Sequence, residues 1–112
     1  MALLKGTLDV LVLKALSWGP MHGFEITSWL DERSGGEVMV VDAALLQALH
    51  RMEERKLISA EWGITKNDRR ARYYKLTARG RAELKAQAAS LTQHVSALTD
   101  VLSARGPLKS DA

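Results

Sequence analysis

A mainly α-helical domain with one small β-hairpin and a long terminal helix is predicted by three features of the 112-residue sequence. Three segments of helical apolar period precede residue 56, a stretch of period two occupies roughly residues 57–76, and the helical period returns at Thr77 and runs to about residue 104. Three helices, a hairpin and a long helix are the element order of a winged helix-turn-helix domain (residues 1–77) carrying a dimerisation helix (78–105) and a frayed tail (106–112).

The first helix is expected to start at Thr7 as N-cap and to bury a broad face made by Leu8, Leu11, Val12, Ala15 and Leu16. Val10 and Leu13 make it apolar nearly all round, so other elements or a second subunit must enclose it. Ser17-Trp18-Gly19-Pro20 ends it, because proline lacks an amide hydrogen and disfavours helix in the residue before it. A second helix runs from about Gly23 to Arg33 and stops at Ser34-Gly35-Gly36, where glycine can take a left-handed turn. After an extended run from Val38 to Val41, Asp42 caps a third helix that reaches about Arg55 and turns Leu45, Leu49 and Met52 inward. Residues 57–62 and 71–76 read as strands joined by a polar segment containing Asn67-Asp68. In the last helix Leu84, Ala88, Leu91, Val95, Leu98 and Leu102 recur at spacings of 4, 3, 4, 3 and 4, a coiled-coil seam. A helix of that length extends about 40 Å, more than so small a domain can cover, and therefore calls for a partner helix.

Charge is concentrated. Residues 66–81 hold seven of the sixteen Lys and Arg side chains and one acid, Asp68, for a local net charge of +6. The rest of the chain holds nine basic and twelve acidic groups and sums to −3. A basic segment on an otherwise slightly acidic chain is the footprint of a polyphosphate partner. The absence of cysteine excludes disulfides, thiolate nucleophiles and Cys-ligated zinc, and suits a reducing, cytoplasmic setting. The apolar run Leu8–Leu16 contains Asp9 and Lys14 and falls well short of the ~20 residues of a membrane span, so no membrane association is expected. There is no phosphate loop, nucleophile elbow or metal motif, and Glu53-Glu54 reads as an exposed helix face rather than an acid/base pair. His22, His50 and His94 lack convergent ligands. An enzyme, a metal and a cofactor are therefore not expected.

In the winged architecture the third helix enters the major groove and the hairpin lies along the neighbouring backbone or minor groove. Ala43, Gln47, His50 and Glu54 fall opposite the inward face, with Ala44, Leu46 and Arg51 on the flanks. Gln47 suits adenine and Arg51 suits guanine or phosphate, whereas Leu46 and the alanines offer shape or thymine-methyl contact. Arg69, Arg70 and Arg72 suit phosphates. Of Tyr73 and Tyr74, which alternate faces, one belongs to the core and the other is available to phosphate. Trp18, Trp29 and Trp62 are expected in the core or a dimer interface, with Trp18 and Trp29 as candidate walls of a pocket for a small hydrophobic or aromatic effector.

Several blocks, in order, carry a resemblance: Leu4-Lys5-Gly6-Thr7-Leu8, Gly19-Pro20-Met21-His22-Gly23-Phe24, Ala48-Leu49-His50-Arg51-Met52-Glu53, Trp62-Gly63, and Arg69-Arg70-Ala71-Arg72-Tyr73-Tyr74-Lys75-Leu76-Thr77-Ala78-Arg79-Gly80. Over residues 3–84 the chain resembles the PadR family of bacterial transcriptional regulators, in the short form with a single C-terminal helix. The resemblance implies a homodimeric repressor on a pseudo-palindromic double-stranded operator, with the terminal helix of one subunit packed on the first helix of the other. It also implies release by a small hydrophobic ligand, since some relatives bind phenolic acids or hydrophobic drugs. The expected DNA contacts are Lys5, His22, Ala44, Leu46, Gln47, His50, Arg51, Lys66, Arg69, Arg70, Arg72 and Tyr74. The expected dimer contacts are Leu8, Leu11, Leu84, Ala88, Leu91, Val95, Leu98 and Leu102. The chain departs from the family where Gly-Ser-Leu-Tyr-Pro is usual: it has Ala43-Ala44-Leu45-Leu46-Gln47, and Phe24 stands where tyrosine is common. Each missing hydroxyl removes a hydrogen bond of about 1 kcal/mol. A ligand sensor or a protein-interaction module on the same fold, with weakened DNA binding, is the competing expectation.

Overall fold

Seven elements form from these segments in the computed structural model, which describes residues 6–107: α1 (Thr7–Leu16), β1 (Met21–His22), α2 (Gly23–Arg33), α3 (Asp42–Glu54), β2 (Ile58–Ile64), β3 (Arg70–Leu76) and α4 (Ala78–Leu102). Lys5, an expected DNA contact, and residues 108–112 of the expected tail lie outside the described residues.

Two helix starts differ from the sequence expectation by one residue. Gly6, not Thr7, is the N-cap of α1, with a left-handed φ of 87° that costs glycine no side-chain clash. Val41 in extended backbone caps α3, which leaves Asp42 in the first helical turn, where its carboxylate meets the positive end of the helix dipole. The end of α2 is as expected: Gly35 and Gly36 take φ of 63° and 84°, and the Gly36 amide donates to the Asp31 carbonyl at 2.8 Å.

The hairpin strands are longer than their apolar signature, running to Ile64 and from Arg70. Their turn is built on Thr65, whose Oγ1 accepts from the amides of Asn67 at 3.3 Å and Arg69 at 3.2 Å, with Asp68 at a φ of 59°. A third strand was not expected. The two-residue β1 pairs antiparallel with β3, Met21 opposite Tyr74 and His22 opposite Tyr73, giving a sheet of order β1-β3-β2.

The core lies between the three helices and the base of this sheet. Val12, Leu13, Ala15 and Leu16 of α1 meet Ile26 and Leu30 of α2, Leu45, Ala48, Leu49 and Met52 of α3, and Leu57, Ile58, Tyr74 and Leu76. Trp29 packs half-buried against this cluster. Trp18 and Trp62 do not belong to it, being 67% and 61% exposed. Trp18 stands at the end of α1, with the Lys14 ammonium 5.1 Å from its ring centre.

Thr77 caps α4, its Oγ1 accepting from the Gly80 amide at 3.0 Å and lying 2.7 Å from the Lys56 carbonyl oxygen. The 25 residues of α4 extend about 37 Å. The radius of gyration is 17.3 Å, against about 13 Å for a rounded domain of this length. The excess is the arm. Its seam divides in two. Leu84 packs on the chain's own core, and Ala88 and Leu91 are half-buried on the stretch of α4 that runs against α1, so this half is covered in cis. Beyond it Val95, Leu98, Val101 and Leu102 are 52, 47, 73 and 85% exposed. Leu8 and Leu11 likewise pack half-buried against the core of their own subunit.

Candidate nucleic-acid interface

The outer face of α3 carries side chains that nothing in the fold requires. Ala43, Gln47, His50 and Glu54 are exposed, Leu46 is exposed beside them, and Ala44 is half-buried. Between this face and the hairpin runs an open groove of about 510 Å³ lined by Leu46, Gln47, His50, Arg51, Glu53, Arg72 and Tyr74. The helix and the hairpin thus form one continuous surface, with the cationic residues Lys66, Arg69 and Arg70 exposed toward the hairpin tip.

Two of the arginines expected to contact DNA are already engaged. Arg51 donates to Asp9 Oδ1 of α1 at 2.9 Å, and Arg72 donates from β3 to Glu53 Oε2 of α3 at 2.8 Å. Both pairs are partly exposed, so each adds little stability. Their effect is geometric: one ties α3 to α1 and the other ties it to the hairpin. Each also offsets local positive charge, whereas Lys66, Arg69 and Arg70 at the hairpin have no carboxylate partner among the described residues. Arg70 lies over the Trp62 ring at 4.6 Å from its centre.

Tyr74 is only 7% exposed and belongs to the core, so the phosphate contact expected of it is corrected. Tyr73 is its outward, half-buried neighbour and meets the His22 ring edge-on at 5.2 Å. His22 is engaged within its own helix start. Its Nδ1 accepts from the Glu25 amide at 3.4 Å, while Glu25 Oε1 accepts from the His22 amide at 3.1 Å, which makes a capping box for α2. His94 stands exposed on α4, far along the chain from His22 and His50, and among the described residues no group of His, Cys, Asp or Glu could hold a metal ion. Among the described residues, too, no helix is long and apolar enough to cross a membrane.

A three-helix head, a third helix with an open polar face and a basic hairpin beside it define the winged helix-turn-helix class. The family model for the transcriptional regulator PadR-like family matches residues 12–86. The chain belongs to that family, which is one of transcriptional regulators and not of enzymes. It is 27% identical to a PadR-like transcription factor from Bacteroides fragilis, with a TM-score of 0.69 over 87% of this chain and 91% of that one. A transcriptional regulator from Clostridium thermocellum shares the fold at a TM-score of 0.76 and 21% identity, covering 86% and 93% of the two chains. PadR of Bacillus subtilis, solved in complex with operator DNA, superposes with a TM-score of 0.63 at 20% identity, covering 96% of this chain and 52% of that one.

Proposed function

We propose that the protein is a homodimeric repressor that binds a two-fold-symmetric operator through α3 and the β2–β3 wing and is released by a small hydrophobic ligand. The observation that carries the DNA reading is the juxtaposition, across one groove, of the exposed α3 face with a hairpin whose exposed Lys66, Arg69 and Arg70 have no carboxylate partner among the described residues. The complex of Bacillus subtilis PadR with operator DNA supports it, since that protein has the same fold. In this reading residues 1–77 are the DNA-binding head and 78–105 the dimerising arm. Two recognition helices enter successive major grooves about 34 Å apart. Gln47, whose exposed side chain makes no intramolecular hydrogen bond among the described residues, reads a base, and Arg69, Arg70 and Lys66 neutralise phosphates. Arg51 must exchange its Asp9 partner for guanine or phosphate to contribute. Gln47→Ala is expected to relax base preference at one operator position. Unchanged selectivity across single-position operator variants rejects that role.

The arm supports the dimer. Val95, Leu98, Val101 and Leu102 expose a strip of aliphatic surface that a second helix would cover. A V95E/L98E variant is expected to sediment as a monomer and to lose operator binding, because a single head engages only one half-site. A variant that stays dimeric places the interface elsewhere. An effector held between the subunits near Trp18 and Trp29 would favour one relative orientation of the heads and so change their spacing. The decisive test of release is titration of planar hydrophobic compounds into the protein–duplex complex. Saturable tryptophan quenching with loss of DNA supports a ligand-released repressor. Quenching by a protein that binds no duplex supports instead a sensor, the reading favoured by the hydroxyl-free segment Ala43–Gln47.

A further inference from the structure

We infer that Trp62 is a positioning residue of the wing, holding Arg70 for the DNA backbone. This rests on the DNA reading above and goes beyond it by assigning a role to an exposed aromatic that neither the core nor the arm uses.

The hairpin register places the two side chains. Residues directly opposite each other in an antiparallel pair share a face. Ile58 opposite Leu76 and Ala60 opposite Tyr74 place the inward face in the core, while Trp62 opposite Arg72 and Ile64 opposite Arg70 continue the same face toward the tip. Ile58, Leu76 and Tyr74 are 2, 5 and 7% exposed, but Trp62 and Ile64 are 61 and 62% exposed, because the hairpin overhangs the helices that cover its base. A large aromatic is thus left on the core-side face of the wing where no core reaches it.

Against one part of it stands Arg70, whose guanidinium carbon lies 4.6 Å from the Trp62 ring centre. That is within cation–π range. The contact is diagonal across the pair, since the direct partner of Arg70 is Ile64. The two arginines on this face are therefore held in different ways. Arg72 is held by the carboxylate of Glu53, which offsets its charge. Arg70 is held by a neutral ring, and among the described residues no carboxylate pairs with it. Arg70 keeps its full charge and gives up only side-chain freedom. A planar guanidinium lying on a ring still offers N–H donors at its edge, the geometry suited to a phosphate. Restricting one long side chain before binding is worth about three- to tenfold in affinity.

The experiment is a double-mutant cycle on the full-length protein, with a labelled duplex from its own upstream region, using W62A, R70A and the double variant, with W62F as the conservative replacement. W62A is expected to weaken binding about three- to tenfold and to leave the melting temperature unchanged. It should have no further effect once Arg70 is alanine, and W62F should recover most of the loss. R70A is expected to lower the salt slope by about 0.9, whereas W62A should keep it. Equal losses from W62A in the wild-type and R70A backgrounds overturn the assignment, because Trp62 would then act independently of Arg70. A W62A protein that binds as the wild type does also overturns it while leaving the DNA reading intact. A wild-type protein that binds no duplex overturns both.

Discussion

The R69E/R70E variant is expected to lose at least about 60-fold in affinity for duplex DNA near 0.1 M salt while melting at the wild-type temperature. Each phosphate neutralised releases counterions and contributes about 0.9 to the slope of log K against log salt, or roughly eightfold between 1 M and 0.1 M, so two contacts give about 60-fold. Reversing the charge adds repulsion to that loss. The fold is indifferent to the change, because both side chains are exposed. The turn contact of Arg69 uses its backbone amide, bonded to Thr65 Oγ1 at 3.2 Å, and survives. Fluorescence anisotropy over a salt series checks this: the slope should fall by about two units. A variant that keeps the wild-type slope moves the polyanion contact off the wing.

Gly80→Ala is expected to be the most damaging single substitution for stability. A Cβ at this position would stand 2.0 Å from the Leu57 carbonyl oxygen and 3.0 Å from its carbon. These are backbone atoms, and the same oxygen already accepts the Thr77 amide at 3.0 Å, so it cannot swing aside without opening the start of α4. The loss should reach about 3 kcal/mol or more, a fall in melting temperature on the order of 10–20 °C. Gly63 offers the contrast: an added Cβ meets the Tyr73 ring at 2.8 Å, but a half-buried ring can turn where a carbonyl cannot. Thermal melts followed by far-UV circular dichroism separate the two. An unchanged midpoint for Gly80→Ala contradicts the docking of α4 against the junction of α3 and β2.

The elements that the sequence predicts well are those whose signal is their own period. The bounds of α2, the change to period two at the hairpin, and the long uninterrupted α4 all follow from residues within each segment. What escaped depends on pairing across the chain. β1 is two residues long, too short to carry a period, and exists because Met21 and His22 complete the open edge of β3. Strand alternation says that Tyr73 and Tyr74 face opposite ways, yet which one faces the core is decided by helices distant in sequence. The pairs Arg51–Asp9 and Arg72–Glu53 join residues 42 and 19 positions apart, so isolated arginines that read as free phosphate ligands are in fact tethered. The seam of α4 is one continuous pattern in sequence, but α1 of the same subunit covers its first half. One local signal does lie in the sequence: His22 and Glu25 have capping-box spacing, with histidine in the place of the usual serine or threonine.

On the reading proposed above, α3 and the wing form a sequence-selective DNA surface. It is tested most directly by titrating the purified protein against a labelled duplex from its own upstream region and against a scrambled duplex of the same composition, across a salt series. A steep salt slope with both duplexes is expected, with a preference for the upstream sequence that persists as salt rises. No binding to either duplex at low salt would contradict it.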